Sequence, residues 1–395
     1  MTPVKIDDGR RRIRLGVRHL LSAPADTVEE VVGALVALHA TDPATVFLSA
    51  WARLGSPSVR EVEDALYERR SLVRSLAMRR TMFVVTAGAG PVVHAAAGRE
   101  VARRERTKLL AYLAEGVGWD GARLAEVEDA VLAALRERGE ATATELVRDV
   151  PALAEQVVVG AGKPYEVRQN VSSRVLRVLA TEGRTRRARP RGSWVSSQFR
   201  WTAATPWPEL DAAAARAELT RWWLGAFGPA TAADLKWWTG WTVRATREAL
   251  AAVGAVEVEL SAGPGWVLPG DVDPVAEPEP WAALLPALDP TPMGWQDRDW
   301  YLPPHLRPLL FDSSGNVGPT VWWNGAVVGG WAQRPDGEVV WKPLVDVGSD
   351  AAAAIDRQAA RTAGLLGGVR VVPRFRTPLE KELVATRSAS RRSPP

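Results

Sequence analysis

Cysteine is absent from this sequence of 395 residues, and lysine and histidine are rare, with six and four copies. The absence of cysteine excludes disulfide bonds, thiolate zinc ligands and thiol nucleophiles. No apolar run reaches the roughly 18 residues that a membrane-spanning helix needs. The N-terminal segment also lacks the apolar core that is typical of a signal peptide. We therefore expect a soluble cytoplasmic protein.

Arginine supplies 44 of the 50 basic residues, although the net charge is only +4. Its planar guanidinium makes paired hydrogen bonds to phosphates and base edges, so this bias suits a nucleic-acid partner. A genome rich in G and C also raises the arginine and alanine content, so the positions of the arginines are more informative than their number. The length and the 46% hydrophobic content predict two to four globular domains.

One pattern occurs three times along the chain: a capped helix, a turn, a second helix and a short hairpin. It is clearest between Phe227 and Leu260, where Thr231 precedes Asp234 by three residues, as in a helix capping box. Gly240 then marks a turn, and an alternating run near the end predicts a strand. This order is typical of a winged helix-turn-helix. We assign the three copies to residues 1–90, 91–205 and 206–262.

The composition changes at about residue 263, after which proline, glycine and tryptophan are frequent and short alternating runs dominate. Asn324 followed by Gly325 between two such runs indicates a β-hairpin turn. We predict a β-rich domain over 263–372 with one helix at about 350–366, then a C-terminal strand and flexible tail over 373–395. The predicted fold class is mainly α with β: three tandem winged-helix modules followed by a C-terminal β-rich, barrel-like domain.

The segment LVALHATDPATVFLSAWARL, Leu35 to Leu54, places a histidine at the end of a predicted amphipathic helix. His39 shares the apolar face of that helix with the valines and the leucine before it. A lone histidine at such a position is more often packed in a core. Thr41 fits a turn, and Asp42, followed by proline, fits the N-cap of the next helix. A purely structural interpretation of this segment therefore stays open.

Four segments, in this order along the chain, resemble the signatures of a known family. They are the Leu35–Leu54 segment, RSLAMRRTMFVV (Arg74–Val85), FGPATAADLKWWTG (Phe227–Gly240) and LLPALDPTPMGWQDR (Leu284–Arg298). The chain is similar to the winged-helix DNA-binding proteins that include the azinomycin-resistance and interstrand-crosslink DNA glycosylases, the AlkZ-like family. This resemblance implies a C-shaped stack of three winged helices with a β-domain around duplex DNA. It also implies hydrolysis of the N-glycosidic bond of an alkylated purine, without a metal or organic cofactor.

The chain departs from the family pattern where the signature usually reads Gln-x-Gln-Asp-Pro. His39 and Thr41 stand in place of the two glutamines, and Arg80 and Phe83 replace a glycine and a histidine that are common in the following strand. The resemblance implies a site at this signature, so we take His39, Thr41 and Asp42 as the candidate catalytic residues. The replacements also fit a branch with another substrate or without glycosylase activity.

The residue types at the three positions suit base excision. An alkylated purine is already a good leaving group, and the sugar passes through a cation-like state while water is directed at C1′. Histidine titrates near neutral pH and can accept a proton from that water. A threonine hydroxyl can orient the water, and an aspartate can add negative charge near the cation. Two polar groups at i and i+2 in non-helical backbone can point to the same side.

Arginines concentrate in RTRRARPRGSWVSSQFRW, Arg184 to Trp201, which we predict to be a hairpin around Gly192. A charge run is ordinarily solvated, yet the wing of a winged helix can enter a groove or follow phosphates. Two further arginines are expected on a recognition helix of the second module, and one tryptophan is a candidate for base stacking, while the others are expected in the core. The candidate DNA-binding residues are Arg79, Arg80, Arg168, Arg174, Arg184, Arg186, Arg187, Arg189, Arg191 and Trp194.

Two functions are compatible with these observations. The first is a monofunctional DNA glycosylase for alkylated purines, serving repair or self-resistance to a genotoxin. The second is a non-catalytic DNA-binding protein, such as a transcription regulator or a lesion sensor. Both imply double-stranded DNA as the partner, bearing an adduct in the first case, and association with the nucleoid when DNA is bound. Three tandem modules in one chain favour a monomer over the symmetric dimer of a typical regulator.

Overall fold

The computed structural model describes residues 3–159, 162 and 166–385. They form two compact units: one combines Met1–Val62 with Thr220–Pro395, and the other is Glu63–Leu219. We refer to them as the discontinuous unit and the central unit. Helices and strands occur in both units, so the fold is mixed α/β. The limits of the units cut across the predicted modules at 1–90 and 206–262, and the module boundaries stay predictions.

The α-helices are α1 Asp8–Arg18, α2 Val28–Ala34, α3 Pro43–Trp51, α4 Val59–Glu63, α5 Gly90–Val93, α6 Arg99–Val117, α7 Gly121–Arg138, α8 Ala143–Asp149, α9 Ser172–Thr181, α10 Ala212–Phe227, α11 Ala232–Thr239, α12 Val243–Ala252, α13 Arg307–Leu310, α14 Gly348–Leu366 and α15 Pro378–Ala385. The strands are β1 Val4–Lys5, β2 Leu38–His39, β3 Leu72–Leu76, β4 Met82–Thr86, β5 Gln156–Val159, β6 Val167–Asn170, β7 Thr185–Pro190, β8 Phe199–Ala203, β9 Val256–Leu260, β10 Gly263–Val267, β11 Ala282–Leu285, β12 Thr320–Trp323, β13 Ala326–Gln333 and β14 Val339–Pro343. In the described part of the chain, no helix combines the length and the apolar character needed to cross a membrane.

Short-range sequence signals account for the starts of several helices. Capping boxes form at the N-termini of α2, α8 and α11, each with a threonine at the cap and an acidic residue three positions later. Asp42 caps α3 as predicted. The predicted helix through His39 is wrong: α2 ends at Ala34, Val36 takes a left-handed φ of 63°, and His39 lies in β2. A β-branched residue at positive φ interrupts the helix before the histidine.

In the central unit, α8 and α9 precede the hairpin of β7 and β8 as predicted, but an antiparallel pair of strands, β5 and β6, lies between the two helices. Helices α6, α7, α8 and α9 enclose an apolar core with the fully buried residues Leu113, Leu124, Val131 and Leu179. Strand β7 pairs antiparallel with β8, which confirms the predicted hairpin. Strands β3 and β4 of the same unit also pair antiparallel, in register from Leu72↔Thr86 to Leu76↔Met82.

The discontinuous unit contains residues 227–260, where the sequence predicts the third repeat most clearly. Helices α11 and α12 are separated by Gly240, whose φ of 76° is the left-handed conformation that favours glycine. Strand β9 pairs antiparallel with β10 and parallel with β1, and Ile6, Val258 and Val267 pack in a small core against these strands. The order helix, turn, helix, hairpin matches the sequence prediction.

The predicted β-rich region forms a four-stranded antiparallel sheet in the order β11-β12-β13-β14. The two outer strands of the described sheet are not paired with each other, so the barrel-like closure is not confirmed. The hairpin turn at Asn324 and Gly325 is confirmed, with φ values of 46° and 81° as a two-residue turn requires. The strand predicted within 373–395 is wrong where this segment is described, because residues 378–385 form α15. The predicted flexible tail lies outside the described residues.

Tryptophans build much of the core of the discontinuous unit, as the sequence predicted for most of them. Trp295 lies 5.2 Å from Phe227 and 5.7 Å from Tyr301, measured between ring centroids, and Tyr301 stacks on Trp322 at 5.2 Å. Trp322 is 0% exposed. Large aromatic side chains bury about 150–250 Å² each, so this chain of rings contributes strongly to the stability of the unit.

Candidate active site and nucleic-acid interface

The three candidate catalytic residues lie where β2 leads into α3. His39 is 3% exposed, Asp42 is 8% exposed, and only Thr41 is partly exposed. One carboxylate oxygen of Asp42 accepts the N–H of Ala44 at 3.1 Å, and the other accepts the N–H of Arg374 at 3.0 Å. Both oxygens of Asp42 therefore bind backbone groups, which supports the structural interpretation of this aspartate.

A cation that the sequence analysis missed lies beside Thr41. Arg374 is exposed, and its guanidinium donates to the carbonyl oxygen of Thr41 at 3.3 Å. Together with the hydrogen bond from its backbone N–H to Asp42, this contact joins the 371–375 segment to the turn at Thr41 and Asp42. More than 300 residues separate the two partners, so no local pattern could have indicated the contact.

A buried ion pair joins two of the segments that resemble family signatures. Arg53 donates two parallel hydrogen bonds to Asp289, at 2.9 and 2.8 Å, and both side chains are 0% exposed. Arg53 also donates to the carbonyl oxygens of His19 and Ser49. Burial alone would raise the pKa of Asp289, but the charge and hydrogen bonds of Arg53 and the N–H of Thr291 lower it overall. The pair holds α3 against the segment that follows β11.

His19 completes this buried cluster. Its imidazole lies 2.9 Å from the hydroxyl of Thr291 and 3.2 Å from the carbonyl of Ala226, and the ring stacks on Trp295. Burial, and then the positive charge of Arg53, lower the pKa of His19 to about 3. The native state therefore holds this imidazole neutral through most of the acidic range.

Replacing His19 with asparagine is expected to flatten the acid dependence of stability. The unfolded chain binds a proton at His19 below about pH 6.5, whereas the native protein does so only near pH 3. The stability linked to this group is therefore complete above pH 6.5, and it falls toward pH 3 by up to about 1.4 kcal/mol per pH unit. Urea unfolding at several pH values measures the slope. If the free energy of unfolding of the variant depends on pH as steeply as that of the wild type, the acid dependence does not come from His19.

The third and fourth signature-like segments are also joined by a buried carboxylate. Asp234 is 0% exposed, and one of its oxygens completes the capping box of α11 with Thr231. The other oxygen accepts the N–H groups of Gln296 and Asp297 at 2.8 and 2.9 Å. The resemblance between these segments and the family therefore reflects, in part, residues that hold the discontinuous unit together.

Three of the five arginines predicted for the DNA-binding hairpin already have carboxylate partners in the central unit. Arg184 lies 2.7 Å from Glu128, whose side chain is 2% exposed. Arg189 is paired with Glu63 and Glu68, and Arg191 lies 3.6 Å from Glu145. Arginines that are paired with carboxylates have fewer N–H groups available for a phosphate. The number of arginines in the hairpin therefore overstates its capacity to bind DNA.

Arg184→Gln is expected to lower the stability of the protein, whereas Arg187→Gln is expected to weaken DNA binding. The first removes one of the cations on the buried Glu128, so it lowers the melting temperature and changes the affinity for duplex DNA little. The second leaves Glu128 paired and weakens binding, with a smaller dependence of the affinity on salt. Thermal unfolding and fluorescence anisotropy at two salt concentrations measure both quantities. Equal loss of affinity in the two variants would contradict this division.

The two remaining hairpin arginines, Arg186 and Arg187, line a cleft of about 230 Å³ in the central unit. Arg70, in the loop just before β3, and Arg74, on β3, line the same cleft. We call it the arginine cleft. The sequence analysis missed Arg70 and Arg74, although an arginine within the buried pattern of a strand was a usable signal.

The other candidate DNA contacts are scattered in the central unit. Arg80 is exposed and lies 2.7 Å from Glu105, and Arg79 is partly buried beside it. Arg174 is on α9 and lies over the ring of Tyr112 at 3.9 Å. Arg168 is exposed on β6, so its predicted place on a recognition helix is wrong.

Trp194 is buried rather than presented for base stacking. It is 5% exposed, so protein atoms cover its ring. A nucleic-acid base stacks on an open aromatic face, which this side chain does not provide. We therefore leave Trp194 out of the proposed DNA contacts.

The fold of this chain has a counterpart among solved structures. The chain is similar in fold to Streptomyces sahachiroi DNA glycosylase AlkZ, with a TM-score of 0.71 and 21% sequence identity over 93% of this chain and 99% of that chain. Comparison with curated protein sequences gives no match. The model of the family described as DNA glycosylase AlkZ-like matches residues 32–365. The protein therefore belongs to the AlkZ-like DNA glycosylase family, and its functional class is DNA binding and DNA repair.

Proposed function

We propose that the protein is a monofunctional DNA glycosylase that hydrolyses the N-glycosidic bond of alkylated purines in double-stranded DNA. The observation that carries the proposal is the family match over residues 32–365, which includes the whole Leu35–Leu54 segment. The arginine cleft supports it, since a duplex needs cations against its phosphates. In this proposal the three helix-and-hairpin repeats are winged helices, and the active protein is a monomer.

In the proposed reaction, water attacks C1′ of the alkylated nucleotide while the bond between C1′ and the base nitrogen breaks. The electron pair of that bond leaves with the base and neutralises its positive charge. Thr41, which is partly exposed, orients the water, and His39 takes up the proton that the water loses. Because His39 is 3% exposed, the 38–42 segment must open toward DNA for this step. Asp42 has a structural role in the proposal, as the cap of α3.

The test is an excision assay with duplexes that differ only in one N7-methylguanine. We expect the wild-type protein to release the alkylated base, which converts the modified strand to a product that alkali cleaves. Without alkali the strand should stay intact, as hydrolysis without a lyase step requires. The unmodified duplex should give no product. Absence of alkali-sensitive product with excess protein, under conditions where the duplex is bound, would overturn the proposal.

A second candidate, a DNA-binding protein without excision activity, is favoured by one specific observation. The imidazole of His39 is almost completely buried, and both oxygens of Asp42 bind backbone groups. This function predicts tight binding of alkylated duplexes with no release of base. The same assay therefore separates the two candidates.

A further inference from the structure

The arginine cleft has a marked excess of positive charge. Four arginines line it, and Glu140 is the one acidic residue among its described lining. The carboxylate of Glu140 also lies 3.8 Å from Arg200, so it is shared with a cation outside the lining. A concave surface with unbalanced cations attracts an anionic ligand.

Arg74 has donors in this cleft that the protein does not satisfy. It is 8% exposed, and one terminal nitrogen donates to the hydroxyl of Tyr67 at 3.0 Å. Its Nε and its other terminal nitrogen are buried and have no hydrogen-bond partner among the described residues. The Nε of Arg186 is also buried and has no hydrogen-bond partner among the described residues. Buried charged donors without acceptors are costly, so these atoms indicate a position for an external acceptor.

Aromatic rings hold the guanidinium groups of the cleft. Phe199 lies under both Arg74 and Arg187, at 4.9 and 4.8 Å from its ring centroid, and Trp207 lies under Arg186 at 4.4 Å. Stacking uses the face of a guanidinium and leaves the N–H groups at its edge available. The side chains are therefore ordered before a ligand arrives, which reduces the entropy lost on binding.

We propose that the arginine cleft is a binding site for a phosphate group, with Arg74 and Arg186 as its principal ligands. The fork of N–H groups on arginine matches two oxygens of a phosphate. That the phosphate belongs to the DNA backbone rests on the proposed function, whereas a free phosphate compound has the same chemistry. The site lies within the central unit and is formed by residues of β3, β7 and the loop residue Arg70 just before β3.

The experiment measures two ligands with four forms of the full-length protein. Calorimetric titration with pyrophosphate, at constant ionic strength, and anisotropy with an unmodified duplex are applied to the wild type, Arg74→Gln, Arg186→Gln and Arg123→Gln. Arg123 is the matched control, since it is half-exposed and outside the cleft. We expect each cleft variant to weaken the binding of at least one ligand by tenfold or more, and the control to change either affinity less than twofold. Arg186 is less buried than Arg74, so its variant provides the test if Arg74→Gln does not fold.

The possible outcomes test the phosphate site in the cleft and the proposed function of the protein separately. Weakened duplex binding in the cleft variants supports a site for backbone phosphate. Weakened pyrophosphate binding with unchanged duplex binding supports a site for a free phosphate compound, and the DNA-binding function then depends on other residues. Duplex binding that is equal in all four forms, with no pyrophosphate binding, overturns the inference and leaves the proposed function standing. Pyrophosphate binding that depends on Arg74, without any duplex binding, supports the cleft and removes the proposed function.

Discussion

Asp289→Asn is expected to lower the free energy of unfolding of the discontinuous unit by about 3–5 kcal/mol. The amide fits the same space but removes the negative charge that balances Arg53, and both side chains are 0% exposed. A charged guanidinium left in the core without a counter-ion is among the most destabilising changes a single substitution makes. Urea unfolding followed by tryptophan fluorescence measures the effect, because 14 of the 18 tryptophans belong to this unit.

Further variants distinguish loss of the ion pair from loss of a side chain in general. Arg53→Met should be destabilising to a similar extent, since it leaves Asp289 without its cation. The double variant Arg53→Met with Asp289→Asn should be less destabilised than the sum of the two single variants, because no isolated charge remains. Glu248→Gln breaks the exposed pair with Arg244 and serves as the control without a measurable change. Additive single effects would show that the charges do not act as a pair.

His39→Ala is expected to reduce the rate of base excision by about 10²- to 10⁴-fold, the usual range for loss of a general base. Affinity for the alkylated duplex should change less than about threefold, because a water-positioning residue adds little to the binding of the ground state. Excision is measured under single-turnover conditions at a temperature where circular dichroism shows the variant to be folded. This control is necessary because His39 is 3% exposed and its removal leaves a cavity.

Two further variants give the role of His39 a specific test. His39→Gln restores the residue type usual in the family signature, so it should retain more activity than His39→Ala. His305→Ala removes an exposed histidine of the same unit and should excise at the wild-type rate. Full activity in folded His39→Ala would show that the imidazole only packs in the core, and the proton would then need another acceptor.

The buried contacts explain why segments far apart in the sequence carry the family resemblance together. Arg53, the penultimate residue of the first of these segments, pairs with Asp289 in the last. Asp234, in the third, binds backbone groups of the last through Gln296 and Asp297. Each of these polar groups is satisfied by a partner in another segment, so a change in one segment leaves a buried group in another without a partner.

The sequence by itself determined the features that depend on neighbours three or four residues away. The Thr231 cap of α11, the Asp42 cap of α3 and the Asn324-Gly325 turn all form as predicted, because each is a local hydrogen bond or backbone preference. The arginine hairpin also forms as predicted. Its turn and alternating strands are likewise local.

Only the tertiary structure decided which of the polar side chains are available. Arg184 and Arg189 are engaged by acids, Arg74 is brought into the cleft, and His39 and Trp194 are buried. The exposure of a side chain, and the charge beside it, depend on segments tens to hundreds of residues away that pack against it. Local hydrogen bonds contain no information about those contacts, so periodicity and spacing could name the candidates but could not say which of them face a ligand.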